Sequence, residues 1–189
     1  GDDADVIDAG DGNNVIDGGF DDDDITSGSG ADLIVSGEGS DTISSGDGDD
    51  TIFGGIGGIG GDSVNLIDDN VLPFRNDPIL DNGDDLIDAG AGNDLVFGED
   101  DNDTILGGVG DDTLDGGIDD DVIEGGAGND VIIGGQGADS LSGGEGNDTF
   151  TVGLFTDPVF GDTYVEGAGD TIIGGEDPGD GDTDVLDLS

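Results

Sequence analysis

The chain contains no cysteine, methionine, tryptophan, histidine or lysine, and Arg75 is its one basic side chain in 189 residues. Each absence excludes something. Without Cys there is no disulfide framework and no thiolate metal site. Without clustered Lys and Arg the chain cannot neutralise phosphates, which excludes nucleic acid and an anionic membrane surface as partners. No apolar run approaches the ~20 residues of a membrane span. Lacking His, Cys and Lys, the segment has no ordinary nucleophile and base pair, so it is read as a non-enzyme. Paired carboxylates can hydrolyse glycosides, but a chain that uses carboxylates everywhere singles out no pair. No signal peptide is visible.

What the chain has in excess is acid and glycine. Fifty acidic residues, 44 of them Asp, give a net charge of −49, and Gly fills 43 positions. Such a charge would normally keep a chain disordered. Two carboxylates about 4 Å apart repel by roughly 1 kcal/mol in water and about 4 kcal/mol at an effective dielectric of 20. A compact form therefore needs cations that the sequence does not encode.

The acids are periodic. From 80 to 151 a nine-residue frame runs unbroken, and its sixth position is always aspartate: Asp85, Asp94, Asp103, Asp112, Asp121, Asp130, Asp139 and Asp148. The eighth is always large and apolar: Ile87, Val96, Ile105, Leu114, Ile123, Ile132, Leu141 and Phe150. Residues 1–53 keep the same frame, with Asp5, Asn14, Asp23, Asp32, Asp41 and Asp50 in the acidic slot and Ile7, Ile16, Ile25, Ile34, Ile43 and Ile52 in the apolar one. Residues 54–79 break the frame and are read as an inserted loop, with one irregular strand at 63–67. Residues 152–189 are read as degenerate repeats and a cap leading into a missing domain, with Asp162, Asp170 and Asp184 in the slot. The pattern starts and stops in mid-unit, so we expect a piece of a larger protein.

Glycine permits the positive φ of a tight turn, and the closing Thr, Val, Ile, Leu and Phe favour a strand. Each unit is thus a turn and a very short strand, which cannot stand alone. Stacking solves this. The expected fold is all-β, a parallel two-sheet solenoid with 18 residues per coil, in which units two apart sit about 4.8 Å from each other. Slot aspartates then form a column along each edge, together with turn carbonyls. An oxygen-rich site of irregular geometry suits calcium better than magnesium, and zinc has no nitrogen or sulfur ligand to use.

"GGAGNDVII" at 125–133 and "GGEGNDTFT" at 143–151 resemble the RTX, or haemolysin-type, calcium-binding repeat, and the resemblance covers 1–53 and 80–151. It implies a right-handed parallel β-roll with Ca²⁺ in the turns. The ions would lie between Asp5 and Asp23, Asn14 and Asp32, Asp23 and Asp41, and Asp32 and Asp50. In the second block they would lie between Asp85 and Asp103, Asp94 and Asp112, Asp103 and Asp121, Asp112 and Asp130, Asp121 and Asp139, and Asp130 and Asp148. That makes about ten ions, with the Asn14 site weakened by its missing charge. Asp21 and Asp119 stand where the fourth-position glycine belongs, so distorted turns are expected there. The resemblance also implies type I secretion from a bacterium, a secreted or cell-surface location, and folding on calcium outside the cell.

Alternate units carry Leu33, Val35, Phe53, Leu95, Phe97, Val131 and Ile133 beside the buried slot, whereas the other set is mostly Thr, Ser and Asp. One sheet face should therefore be apolar and contact the insertion, a neighbouring domain or another copy. The expected function is a calcium-binding scaffold module of a secreted protein. The alternative is a structural or adhesive module whose loaded roll binds partners or self-associates. No threonine rank lines the turns, which disfavours ice as a partner.

Overall fold

The computed structural model describes residues 1, 3–55, 83–151, 154–156, 163–165, 171–174 and 185–187. Their regular structure is entirely strand, and no helix among them is long and apolar enough to cross a membrane. One sheet holds β1 (Val6–Asp8), β3 (Asp24–Ser29), β5 (Thr42–Asp47), β7 (Leu86–Asp88), β9 (Thr104–Val109), β11 (Val122–Ala127), β13 (Ser140–Glu145) and β17 (Thr171–Ile173), in that spatial order. The other holds β2 (Val15–Phe20), β4 (Leu33–Glu38), β6 (Thr51–Phe53), β8 (Leu95–Glu99), β10 (Thr113–Ile118), β12 (Val131–Gln136), β14 (Thr149–Thr151) and β18 (Val185–Asp187). Both sheets are parallel throughout, and the chain alternates between them at every turn from β1 to β14. The result is the parallel two-sheet solenoid with 18 residues per coil that the nine-residue period implies.

Register follows the apolar slot. Ile105 pairs with Ile123 and Ile123 with Leu141 in the first sheet, and Val96 with Leu114 and Leu114 with Ile132 in the second. Side chains alternate between faces along a strand, so one buried residue per strand builds a continuous inner row. Thirteen of the fourteen apolar-slot residues lie in the buried core, and Ile7 packs against it half-buried. Glycine is favoured where coils touch. Gly28 has φ +123°, and a methyl group on it would lie 2.9 Å from the carbonyl of Gly10 in the adjacent coil.

The roll continues across residues 56–82. Ile43 pairs with Ile87 and Ile52 with Val96, a separation of 44 residues where the other coils between β1 and β14 use 18. Gly54 accepts a hydrogen bond from Gly37 N and lies over Asp85, so it takes the first position of the turn that Gly83 and Asp84 complete. That turn reads as an ordinary unit with a long segment in place of its third residue. The strand expected at 63–67 lies outside the described residues.

Among the late strands, β17 and β18 extend the two sheets beyond β13 and β14. The "GDTYV" strand does not. It forms β16 (Thr163–Val165), antiparallel to β15 (Leu154–Thr156). Asp162, Asp170 and Asp184 lie outside the described residues.

The outer faces differ as the sequence implies. Phe53 and Phe97 stack with centroids 5.1 Å apart and planes 7° from parallel on the second sheet, beside Leu33, Val35 and Leu95. The first sheet presents chiefly Thr, Ser, Asp and Glu.

Burial predicts the cost of truncation. Ile123→Ala should destabilise the folded protein by about 2–4 kcal/mol, whereas Val122→Ala, on the exposed side of the same strand, should cost under about 0.5 kcal/mol. Urea unfolding under one set of ionic conditions measures both. Equal losses would contradict the inward row.

Candidate metal centre in two columns of buried aspartates

The turns entering the first sheet line one edge of the roll with Asp5, Asp23, Asp41, Asp85, Asp103, Asp121 and Asp139. Those entering the second line the other edge with Asn14, Asp32, Asp50, Asp94, Asp112, Asp130 and Asp148. Twelve of these fourteen residues are buried; Asp5 and Asn14, at the first coil, are not.

Each column is a ladder. The backbone N–H of Asp94 donates to Asp112 Oδ1 at 2.9 Å, and that of Asp112 to Asp130 Oδ1 at 2.9 Å. On the other edge Asp85 donates to Asp103 at 2.8 Å and Asp103 to Asp121 at 2.9 Å. All ten pairs expected from the resemblance are joined in this way. Two more span the insertion, Asp41 to Asp85 at 2.8 Å and Asp50 to Asp94 at 2.7 Å. Sequence spacing could not reveal these two, because the insertion hides which turns are neighbours.

The ladder satisfies one carboxylate oxygen, Oδ1, and in nine of the slot aspartates the other is left. Oδ2 of Asp23, Asp32, Asp41, Asp50, Asp94, Asp103, Asp112, Asp121 and Asp130 is buried with no hydrogen-bond partner. A buried anionic oxygen without a partner is costly, and these stand in files. The ionisation of the column reflects this. Burial, reinforced by neighbouring aspartates and opposed by the ladder N–H, raises Asp85 and Asp103 to about 9 and Asp121 to about 8. On the opposite edge the same causes raise Asp94 to about 7 and Asp130 to about 6.

The remaining oxygens come from backbone. A methyl group on Gly107 would lie 2.7 Å from Asp112 Oδ2 and 2.6 Å from the carbonyl oxygen of Gly125 in the next coil. Carboxylate and carbonyl thus crowd one spot that only glycine leaves open, and the arrangement recurs over Gly98, Gly116 and Gly125. Asn14 shows what such a turn attracts. Its side-chain amide donates to Gly10 O and Gly12 O, both at 2.8 Å. Where aspartate replaces asparagine, the donor is gone and only acceptors remain. Among the described residues no three acidic side chains form a ready-made metal cluster. Buried carboxylate oxygens and carbonyls, with no nitrogen or sulfur, are the donor set of a hard cation and fit calcium.

A second ladder runs outside the first and was missed from sequence. Asn93 Oδ1 accepts from Asp111 N, and Asp111 Oδ1 from Asn129 N, both at 2.8 Å. Asn102 and Asp120 do the same on the other edge. The available signal was the preference for Asn or Asp at the fifth position of the unit. This ladder is exposed, and the hydrogen bonds from Asn129 lower the pKa of Asp111. At the turns expected to distort, Asp21 and Asp119 keep a positive φ but a smaller one, 70° and 83°, against 126° at Gly30 and 155° at Gly137 in the same turn position. Asp101 and Glu99 do likewise, and all four lie on the Asp85–Asp121 edge. Asp tolerates this region better than most residues.

The family model described as the RTX calcium-binding nonapeptide repeat matches in four copies, at residues 1–34, 26–58, 80–114 and 115–150. No curated protein matches the chain.

The raised pKa values fix a pH dependence. An unfolded aspartate titrates near 3.9, so between about 4 and 9 the folded column binds more protons than the unfolded chain, and stability falls as pH rises. Without divalent cations, strand content should increase as the pH is lowered from 9 towards 5. With calcium saturating, the same change should weaken the fold, since protons compete for the oxygens. Circular dichroism across pH, with and without chelator, reads both trends; a metal-free chain that gains structure towards pH 9 contradicts the assignment.

Proposed function

The chain belongs to the RTX calcium-binding nonapeptide repeat family, and from that premise we propose that its slot aspartates are calcium ligands and that the ions hold the roll together. Asp23, Asp32, Asp41, Asp50, Asp85, Asp94, Asp103, Asp112, Asp121, Asp130, Asp139 and Asp148 would each supply carboxylate oxygen, and turn carbonyls would supply the rest. Asp5 would contribute at the first coil. Asn14 would bind weakly, because its amide already satisfies its own turn. The observation that carries the reading is the file of buried Oδ2 atoms without donors. Calcium, when bound, supplies the positive charge that this file lacks; the chain's own part is to hold the oxygens in register through the ladder N–H groups. A site saturated a hundredfold above its Kd adds about 2.7 kcal/mol to folding.

On this reading the segment is a folding switch. It stays unfolded in the low-calcium interior of a bacterium, passes out by type I secretion, and folds where calcium is plentiful. There it acts as a scaffold for a larger protein. Calcium titration followed by far-ultraviolet circular dichroism at neutral pH tests this: a strand-rich spectrum should appear with calcium and be largely lost with EGTA. Asp121→Asn should lower calcium stoichiometry and raise the calcium midpoint by tenfold or more. A strand-rich spectrum in both conditions would overturn the reading.

A second reading, a structural or adhesive module, is favoured by one observation. The second sheet exposes a contiguous apolar patch around the stacked Phe53 and Phe97. If the patch joins two copies, sedimentation of the calcium-loaded protein should show a concentration-dependent dimer that Phe97→Asp abolishes. A monomer at all concentrations removes self-association.

A further inference from the structure

Most turns open with glycine. Three successive ones open instead with Ser27, Ser36 and Ser45, all fully buried. Each hydroxyl points to the equivalent residue one coil on. Ser27 Oγ donates to Ser45 O at 2.7 Å, Ser45 Oγ to Ala89 O at 2.6 Å, and Ser36 Oγ to Gly54 O. Ser27, Ser45 and Ala89 thus form a chain along one edge, and its second link crosses the insertion, 44 residues apart in sequence. The carbonyl that accepts is the same one that, in glycine turns, faces an aspartate Oδ2 across open space, as Gly125 O does over Gly107. Ser36 and Ser45 also neighbour the carboxylates of their own turns, Asp41 and Asp50. A hydroxyl has one proton. The carbonyl contact is the one whose geometry is that of a hydrogen bond, so the carboxylates of Asp41 and Asp50 stand as second acceptors for the same proton.

We propose that Ser27, Ser36 and Ser45 form a calcium-independent clasp around the insertion, and that their turns, carrying Asp32, Asp41 and Asp50, are weaker calcium sites than the glycine turns of Asp103, Asp112, Asp121 and Asp130. The second half of this rests on the calcium reading above; the clasp itself does not. Two effects act together. The serine side chain fills the space that glycine leaves over the oxygens, and its proton occupies a carbonyl that calcium would otherwise share. In return the hydroxyl ties neighbouring coils when no ion is present. Its location fits this role: the contacts 27–45, 36–54 and 45–89 join the coils on either side of the point where the sequence departs from the 18-residue spacing. Calcium would then fill the glycine turns first and the serine turns last.

The experiment compares the full chain with two triple variants, one with all three serines replaced by glycine and one with alanine. Isothermal calorimetry against calcium chloride reads affinity, and amide hydrogen exchange in EGTA at moderate pH reads metal-free structure. In EGTA the parent should protect amides of 24–53 more than those of 104–150. Both variants should lose that difference, because both lack the hydroxyl. Only the glycine variant should gain affinity at the weak class of sites, by about tenfold, the value of one good hydrogen bond; alanine keeps the steric block. Unchanged protection in both variants overturns the clasp. A glycine variant with an unchanged isotherm overturns the weaker-site assignment. A parent chain that binds no calcium overturns the calcium reading and the site ranking with it, while protection in the alanine variant still decides the clasp.

Discussion

A buried carboxylate oxygen that no donor of the protein reaches, repeated at Asp23, Asp32, Asp41, Asp50, Asp94, Asp103, Asp112, Asp121 and Asp130, governs the rest of the structure. The ladder of slot N–H to Oδ1 bonds sets the coils in register, and in doing so it aligns these oxygens in two files. The hydrophobic row inside gains from stacking; the files at the edges lose from it. Neither effect can be had without the other, since both follow from one repeat. Only something positive at the edges, a proton or a cation, lets the inner row close. The elevated pKa values of Asp85, Asp103 and Asp121 express this demand in terms of protons. Membership in a calcium-binding repeat family names the other currency.

The two edges are not equivalent. Asp21, Glu99, Asp101 and Asp119, all held at positive φ, lie on the edge whose aspartates are shifted furthest. Charges of Asp101 and Asp119 are among the causes of the rise at Asp103 and Asp121. The opposite edge keeps glycine at these turn positions and its carboxylates are shifted less. Local backbone strain and electrostatic demand therefore coincide on one side of the roll, where the extra acids replace glycines rather than add to the turns.

Much of this was legible in the sequence because the repeat is rigidly spaced. Fourteen apolar residues at one phase of the period fixed the inner row, and the slot aspartates fixed which oxygens line the edges. What was not legible depends on contacts the period does not encode. Asp41 and Asp85 are neighbours only because 26 extra residues are accommodated in one turn. The fate of the "GDTYV" stretch turned on its pairing with β15, and a strand-like segment carries no label of its partner. The outer Asn and Asp ladder was visible as a bias at one position, but its meaning needed the 18-residue neighbour at hydrogen-bonding distance. Ser27, Ser36 and Ser45 read as ordinary small residues until their burial and acceptors were known.

The position of the insertion follows from the same partition of roles within the unit. The first turn residue lies against a carboxylate and a carbonyl, as Gly107 does. The second and fourth lie against the preceding coil, as Gly28 and Gly30 do over Gly10 and Gly12, and are mostly glycine, with Glu99, Asp21, Asp101 and Asp119 among the exceptions. The fifth and sixth carry the two ladders, and the seventh to ninth form the strand. The third makes the least demand on its side chain, although its backbone still bonds between coils, as where Gly30 N donates to Asp47 O, and it accepts Asp11, Phe20, Ser29, Glu38, Ala91, Val109 and Gln136 without pattern. Gly54 and Gly83 bracket the long segment at the first and fourth positions, and both keep their coil contacts. A repeat of this kind can thus be opened at its third position, where the side chain is least constrained, and the columns on either side remain continuous.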